Sequence, residues 1–178
     1  MNSSVHHPTL VHAFLHWAET TPDRVYMTQP VNGEVTTYTW RQCADEVRRV
    51  ATYLDSLGLP KGSSIALLGR NSAHWILADL AIWLAGYVTV PLYPTLNGET
   101  AEYILEHSEA RLLIIGKMDG KADGWRDIAP MIPAAMPLIG LPLCPRKDIM
   151  QWEDIVARVE PRNDLPLPDP ESLATIVY

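Results

Sequence analysis

The run Ile65-Ala66-Leu67-Leu68 constrains this chain more than any other stretch of it. Four apolar residues between Gly62 and Gly69 are too few for a helix and lack the alternation of a half-exposed strand. They fit a strand buried on both faces, and such strands belong to parallel sheets covered by helices on each side. Residues 73–85, apolar over a helical length, can be capped by Asn71 or Ser72 and closed by Gly86. Residues 87–92 then return as a β-rich run interrupted by Pro91 and closed by Pro94. Strand, helix and strand make one βαβ unit. A helix opening near Asn97 and carrying Tyr103, Ile104 and Leu105, followed by the apolar run 112–115, repeats it.

The flanks extend the pattern. Thr9 is placed to cap a helix whose apolar face is Leu10, Phe14, Trp17 and Ala18. Residues 25–29 and 34–38 flank Asn32-Gly33, a pair that supplies the positive φ angles of a tight turn, so a β-hairpin is expected. Thr39 and Gln42 have capping-box spacing, and Val47, Val50, Ala51, Leu54 and Leu57 mark one face of the following helix up to Gly58. Beyond Gly116 the glycines and the prolines between positions 130 and 145 divide the chain into short pieces. A helix over 125–131, a strand over 138–141, a helix over 151–159, a Pro-rich connection over 161–170 and a strand over 173–177 are expected. The fold class is α/β: βαβ units forming a largely parallel sheet flanked by helices, with an N-terminal β-hairpin.

Several function classes fall away. The net charge is -7 with no cluster of Lys and Arg, which disfavours nucleic acid as a partner. The most apolar stretch, 73–86, contains His74 and Asp79 and is shorter than the roughly 20 residues that cross a bilayer. The opening MNSSVHHPTL lacks the basic and apolar regions of a secretory signal, and Cys43 and Cys144 have no paired spacing. A cytoplasmic location is the expectation.

Candidate motifs resolve mostly into structure. The segment 116–124 spaces Gly116, Gly120 and Gly124 regularly, but it lacks a terminal Gly-Lys-Ser/Thr and carries Asp119 and Asp123, which repel phosphate. His12 and His16 lie four apart, and His6 and His7 are adjacent, without an acid that completes a metal-ligand set. Glu99, Glu102, Glu106 and Glu109 follow one helix face, where acids are solvated. Cys43 has no base beside it, and no serine sits in a GxSxG elbow. Trp75 and Trp83 read as core residues, with peripheral membrane contact as the alternative. No residue is assigned a catalytic, cofactor-binding or metal-ligating role.

The segment LGLPKGSSIALLGRNSAHWILADLAIWLAGYVTVPLYPTL, residues 57–96, closely resembles the N-terminal signature of the adenylate-forming superfamily. Thr21-Pro22-Asp23-Arg24-Val25 and Tyr38-Thr39-Trp40 are similar to its opening motifs. Pro91-Leu92-Tyr93-Pro94-Thr95 with Glu102-Tyr103-Ile104-Leu105 is most similar to long-chain fatty acyl-CoA synthetases. Ala174-Thr175-Ile176-Val177-Tyr178 resembles the strand that precedes the family's lysine-containing phosphate loop. Ser63 and Ser172 depart from its usual aspartates. The resemblance implies that residues 1–178 are the N-terminal portion of an AMP-binding domain, truncated before that loop. It implies ATP, Mg2+ and CoA as cofactors of the full-length parent, with none bound to this portion, and a fatty acid as the parent's substrate. The remaining polypeptide is the expected partner, and exposed apolar surface is a reason to expect self-association. The alternatives are a non-catalytic α/β binding module and an acyl-adenylate ligase with an acceptor other than CoA.

Overall fold

The structure is a computed structural model that describes residues 7–118 and 123–178. Helix α1 (Leu10–Thr20) begins at Thr9, whose side chain accepts from the His12 amide. Its buried face is Val11, Phe14 and Ala18, whereas Leu10 is 68% and Trp17 43% exposed. The expected face was therefore turned by one position, because Val11, Phe14 and Ala18 satisfy the same helical spacing. Strands β1 (Val25–Val31) and β2 (Glu34–Thr39) form the expected hairpin around Asn32 and Gly33, with φ of 52° and 86°. The Gln29 carboxamide accepts from the Ala73 amide, which docks the hairpin on the start of α3 (Ala73–Leu84).

Helix α2 (Trp40–Ser56) opens with the expected capping box of Thr39 and Gln42. It buries Cys43, Ala44, Val47, Val50, Ala51 and Leu54, but Leu57 lies past the last turn and is exposed. Beyond it come β3 (Ser64–Leu68), α3, β4 (Val88–Leu92), α4 (Gly98–His107) and β5 (Leu112–Ile115). Helix α5 (Asp123–Ile128) runs into a 3-10 turn (Ala129–Met131) before β6 (Leu138–Gly140), β7 (Met150–Gln151) and α6 (Trp152–Arg158). The two-residue β7 was not expected. Gln151, read from the sequence as helical, ends that strand and caps α6.

All ladders of the five-stranded sheet are parallel, in the order β4-β3-β5-β6-β7. The apolar run 65–68 is buried on both faces. Ile65 and Leu67 join the cluster under α2, α3 and α6, while Ala66 and Leu68 join the cluster under α4 and α5. Leu112 and Ile114 against Leu113 and Ile115 divide in the same way on β5. Helix α3 is apolar nearly all round because it lies between the sheet and the α1–α2 layer, so seven of its residues are buried. The terminal segment expected as a strand over 173–177 makes one parallel bridge, Thr175 to Thr89, rather than a ladder. It extends the sheet beyond β4 with minimal pairing.

Candidate functional site

Parallel strands gather their carboxyl ends at one edge, where α/β proteins bind ligands at the point where the chain reverses its order across the sheet. Here the chain leaves β3 through α3 to β4, then passes back through α4 to β5 on the other side of β3. Helices α3 and α4 cover opposite faces, so the connections part between β3 and β5. The floor of that crevice is backbone. Gly69, at φ 153°, stands so close to Gly116 that a Cβ on it would lie 3.0 Å from the Gly116 Cα. The Gly116 amide donates to the Leu68 carbonyl at 2.7 Å, and the Arg70 amide to the Lys117 carbonyl at 2.7 Å. These bonds carry the β3–β5 pairing past its last ladder position.

Around this floor stand the exposed residues Arg70 and Lys117 and, after β4, Tyr93 and Thr95. His107 Nδ1 and the Tyr178 hydroxyl share a hydrogen bond of 2.6 Å, and Tyr103 stacks on His107. The α3 N-terminus offers little to an anion, because Gln29 takes the Ala73 amide and Ser72 takes the Trp75 amide. Among the described residues no group of three or more His, Cys, Asp or Glu is arranged to hold a metal ion.

A cleft of about 770 Å3 opens at the opposite, amino edge between the start of α1, the end of α3 and the Pro-rich segment. Leu10, Val11, Trp83, Tyr87, Leu167 and Leu173 give it apolar walls. Its one ammonium group, Lys61 Nζ, donates to Asp55 at 2.6 Å and to the Ala85 carbonyl at 2.8 Å. Asp55 also accepts from Arg162 at 2.8 Å, and the Lys61 hydrogen bond, first among these contacts, holds its carboxyl below the usual range. That cation is spent on tying α2 to α3. The cleft is apolar surface at the end of the sheet away from the carboxyl edge.

The sequence candidates fall as follows. His12 Nδ1 is engaged by Thr9 Oγ1 at 2.7 Å, while the His16 ring lies 4.5 Å from that of His7. His6, Asp119, Gly120, Lys121 and Ala122 lie outside the described residues, and with them the middle of the 116–124 segment. Glu99, Glu102 and Glu106 are exposed on α4, and Glu109 follows the helix with φ 51°. Cys43 and Cys144 are buried, and burial, aided by Glu46, pushes the Cys43 thiol up to about 12. Trp75 and Trp83 pack against the core, as expected. Sequence reasoning missed the approach of Gly69 to Gly116, which neighbouring residues do not signal. It also missed that the Thr89 hydroxyl of β4 donates to the Asp79 carboxylate of α3, although a lone acid in an apolar helix is such a signal.

A parallel sheet covered on both faces by helices, with a switch-point crevice at its carboxyl edge, defines an α/β class of protein. The sequence profile of the AMP-binding enzymes matches residues 14–178, and the chain belongs to that family, whose members use ATP. It is 30% identical over 113 residues to the long-chain-fatty-acid–CoA ligase FadD15 of Mycobacterium tuberculosis, covering 64% of this chain and 19% of that protein. One of the proteins of linear gramicidin synthase from Brevibacillus parabrevis is 34% identical over 113 residues, 62% of this chain and 2% of that protein. Among solved structures, the anthranilate CoA ligase AuaEII in complex with anthranoyl-AMP superposes with a TM-score of 0.70 at 21% identity. That match covers 92% of this chain and 31% of AuaEII, so it shows the shared fold. The chain thus spans about a fifth of FadD15 and a third of AuaEII. No helix among the described residues is long and apolar enough to cross a membrane.

Proposed function

We propose that residues 1–178 are the N-terminal portion of the adenylating domain of a fatty acid–CoA ligase, and that the phosphate-binding loop comes from sequence other than these residues. The observation that carries this reading is the likeness to a long-chain-fatty-acid–CoA ligase over 113 residues, 64% of the chain. In the proposed reaction a fatty carboxylate attacks the α-phosphate of ATP, forming an acyl-adenylate and releasing pyrophosphate. The thiol of CoA then attacks the acyl carbon, forming the thioester and releasing AMP. Mg2+ belongs to the ATP in this scheme, held by residues other than those described.

The chain's own part is to place strand ends and loops. Gly69 and Gly116 bring the β3 and β5 ends together, and residues 174–178 lie beside β4. Without a phosphate loop the 178 residues by themselves are inactive. A cytoplasmic location accompanies this reading. The second reading, an acceptor other than CoA, draws on the match to linear gramicidin synthase. Pyrophosphate release from a panel of carboxylates, with and without CoA, by a polypeptide joining this chain to a phosphate loop separates the two. CoA-dependent product with fatty acids is expected, and adenylation of fatty acids without any CoA thioester would refute the first reading.

A further inference from the structure

Residues 174–178 begin to pair with β4 as a parallel strand does, and then stop. The Thr89 amide donates to the Ala174 carbonyl at 2.9 Å, and the Thr89 carbonyl accepts from the Ile176 amide at 3.0 Å. Trp83 Nε1 on α3 also donates to the Ala174 carbonyl, at 2.8 Å. Among the described residues, the Ile176 carbonyl and the Tyr178 amide have no backbone partner. Exposure changes at the same place: Thr175 and Ile176 are half-buried, whereas Val177 is 67% and Tyr178 42% exposed.

Alternation along β4 locates the cause. In a parallel strand, residues two apart turn their backbone groups toward the same neighbour. The Val88 amide donates to the Ser63 carbonyl at 3.0 Å, and the Leu92 carbonyl accepts from the Gly69 amide at 3.4 Å, so positions 88, 90 and 92 bond toward β3. Positions 89 and 91 therefore face the terminal segment. The next bond of that ladder would run from the amide of residue 91 to the Ile176 carbonyl, but residue 91 is proline and has no N–H. The same orientation makes Pro91 harmless to the β3–β4 ladder, where it stands opposite Leu67. A second feature acts on the end of the segment: the Tyr178 hydroxyl and His107 Nδ1 of α4 lie 2.6 Å apart, and Tyr103 stacks on the His107 ring. The divergence after Ile176 thus has two candidate causes, a donor missing from β4 and a pull from α4.

We propose that Pro91 is a positioning residue for residues 174–178: by withholding one donor it ends their pairing with β4 at Ile176 and releases Val177 and Tyr178 from the sheet. The contact of Tyr178 with His107 follows from that release and does not cause it. Pairing past Ile176 would press its carbonyl against a proline ring and away from water with no bond in return, which backbone groups avoid. If the segment leads to a phosphate loop, as the proposed function has it, Pro91 also sets where the chain leaves the sheet on its way there. This consequence rests on that reading; the release does not.

Amide exchange measured by NMR on the whole chain, corrected for intrinsic rates and referred to the Leu113 amide of the sheet centre, separates the two causes. Pro91→Ala supplies the missing donor, so the ladder should extend. The amide introduced at position 91 should exchange about fivefold or more below its intrinsic rate, and the Tyr178 amide should slow by about the same factor against wild type, the size of one net hydrogen bond. His107→Ala removes the pull but keeps the proline, so the Tyr178 amide should exchange no more slowly than in wild type while Ile176 keeps its protection. Free exchange at either position 91 or Tyr178 in Pro91→Ala, or a Tyr178 amide that becomes protected in His107→Ala, overturns the proposal. His107 is exposed, so His107→Ala carries the test if Pro91→Ala does not fold. No ATP or fatty acid enters the measurement, so its failure and a failure of the ligase reading are distinguishable.

Discussion

Replacing Gly69 with alanine tests the switch-point crevice directly, because two separate costs meet there. At φ 153° an L-residue is strained, at about 1–3 kcal/mol. The new Cβ would also sit 3.0 Å from the Gly116 Cα and 3.2 Å from its carbonyl carbon. Backbone cannot swing aside as a side-chain tip does, so overpacking adds about 1–3 kcal/mol. Gly62→Ala is the control: its φ is 79°, but nothing lies within 4 Å of the added Cβ, so only strain of about 1 kcal/mol applies. Urea unfolding followed by the fluorescence of the six tryptophans measures both. Gly69→Ala is expected to lose about 3–5 kcal/mol and Gly62→Ala about 1 kcal/mol, with similar slopes in urea. Equal losses would show that the ends of β3 and β5 do not touch and that the crevice has another floor.

Other consequences are open to simpler measurements. Because the folded pKa of Asp79 is raised from 3.8 to about 6, stability from this group is greatest below the lower value and falls as pH rises through the upper one. Asp79→Asn should therefore stabilise at neutral pH, by at most about 3 kcal/mol, and lose that advantage near pH 4; urea midpoints across pH that show a constant difference contradict this. Trp152→Phe removes the 2.7 Å bond from Nε1 to the Glu46 carboxylate and should cost about 1.5–3 kcal/mol by the same unfolding assay, with a loss under about 0.5 kcal/mol speaking against it. Glu109 closes α4 with φ 51°, while the Ala110 amide reaches the Leu105 carbonyl, so Glu109→Gly should stabilise by about 1 kcal/mol, and any loss of melting temperature counts against that cap. The apolar cleft with exposed Leu10, Leu167 and Leu173 at its margin should drive self-association, read by light scattering over a dilution series; a monomer at every concentration rejects it.

The βαβ core was legible because its strands carry uninterrupted apolar runs and its helices carry caps where the chain needs them. Ser72, Asn97, Thr39 and Thr9 each accept the backbone amide that their position anticipates. The misplacements have physical causes. On α1 two overlapping sets of residues satisfy helical spacing, and only docking against α2 and the hairpin selects Val11 over Leu10. The two residues of β7 are too few to show a period, and their pairing depends on β6 being in place. Much less of the candidate site was legible, because it consists of long-range approaches. Gly69 meets Gly116 only after a whole strand order has formed, and Asp79 finds Thr89 only once α3 lies on β4.

In the proposed function these residues form the framework of an adenylating site without the part that grips ATP. ATP–pyrophosphate exchange with a long-chain fatty acid measures it, on the chain alone and on a folded chimera in which the chain replaces the matching segment of FadD15. Silence is expected from the chain alone and exchange from the chimera. Exchange catalysed by the 178 residues themselves, or a folded chimera that binds ATP yet exchanges nothing, would contradict it.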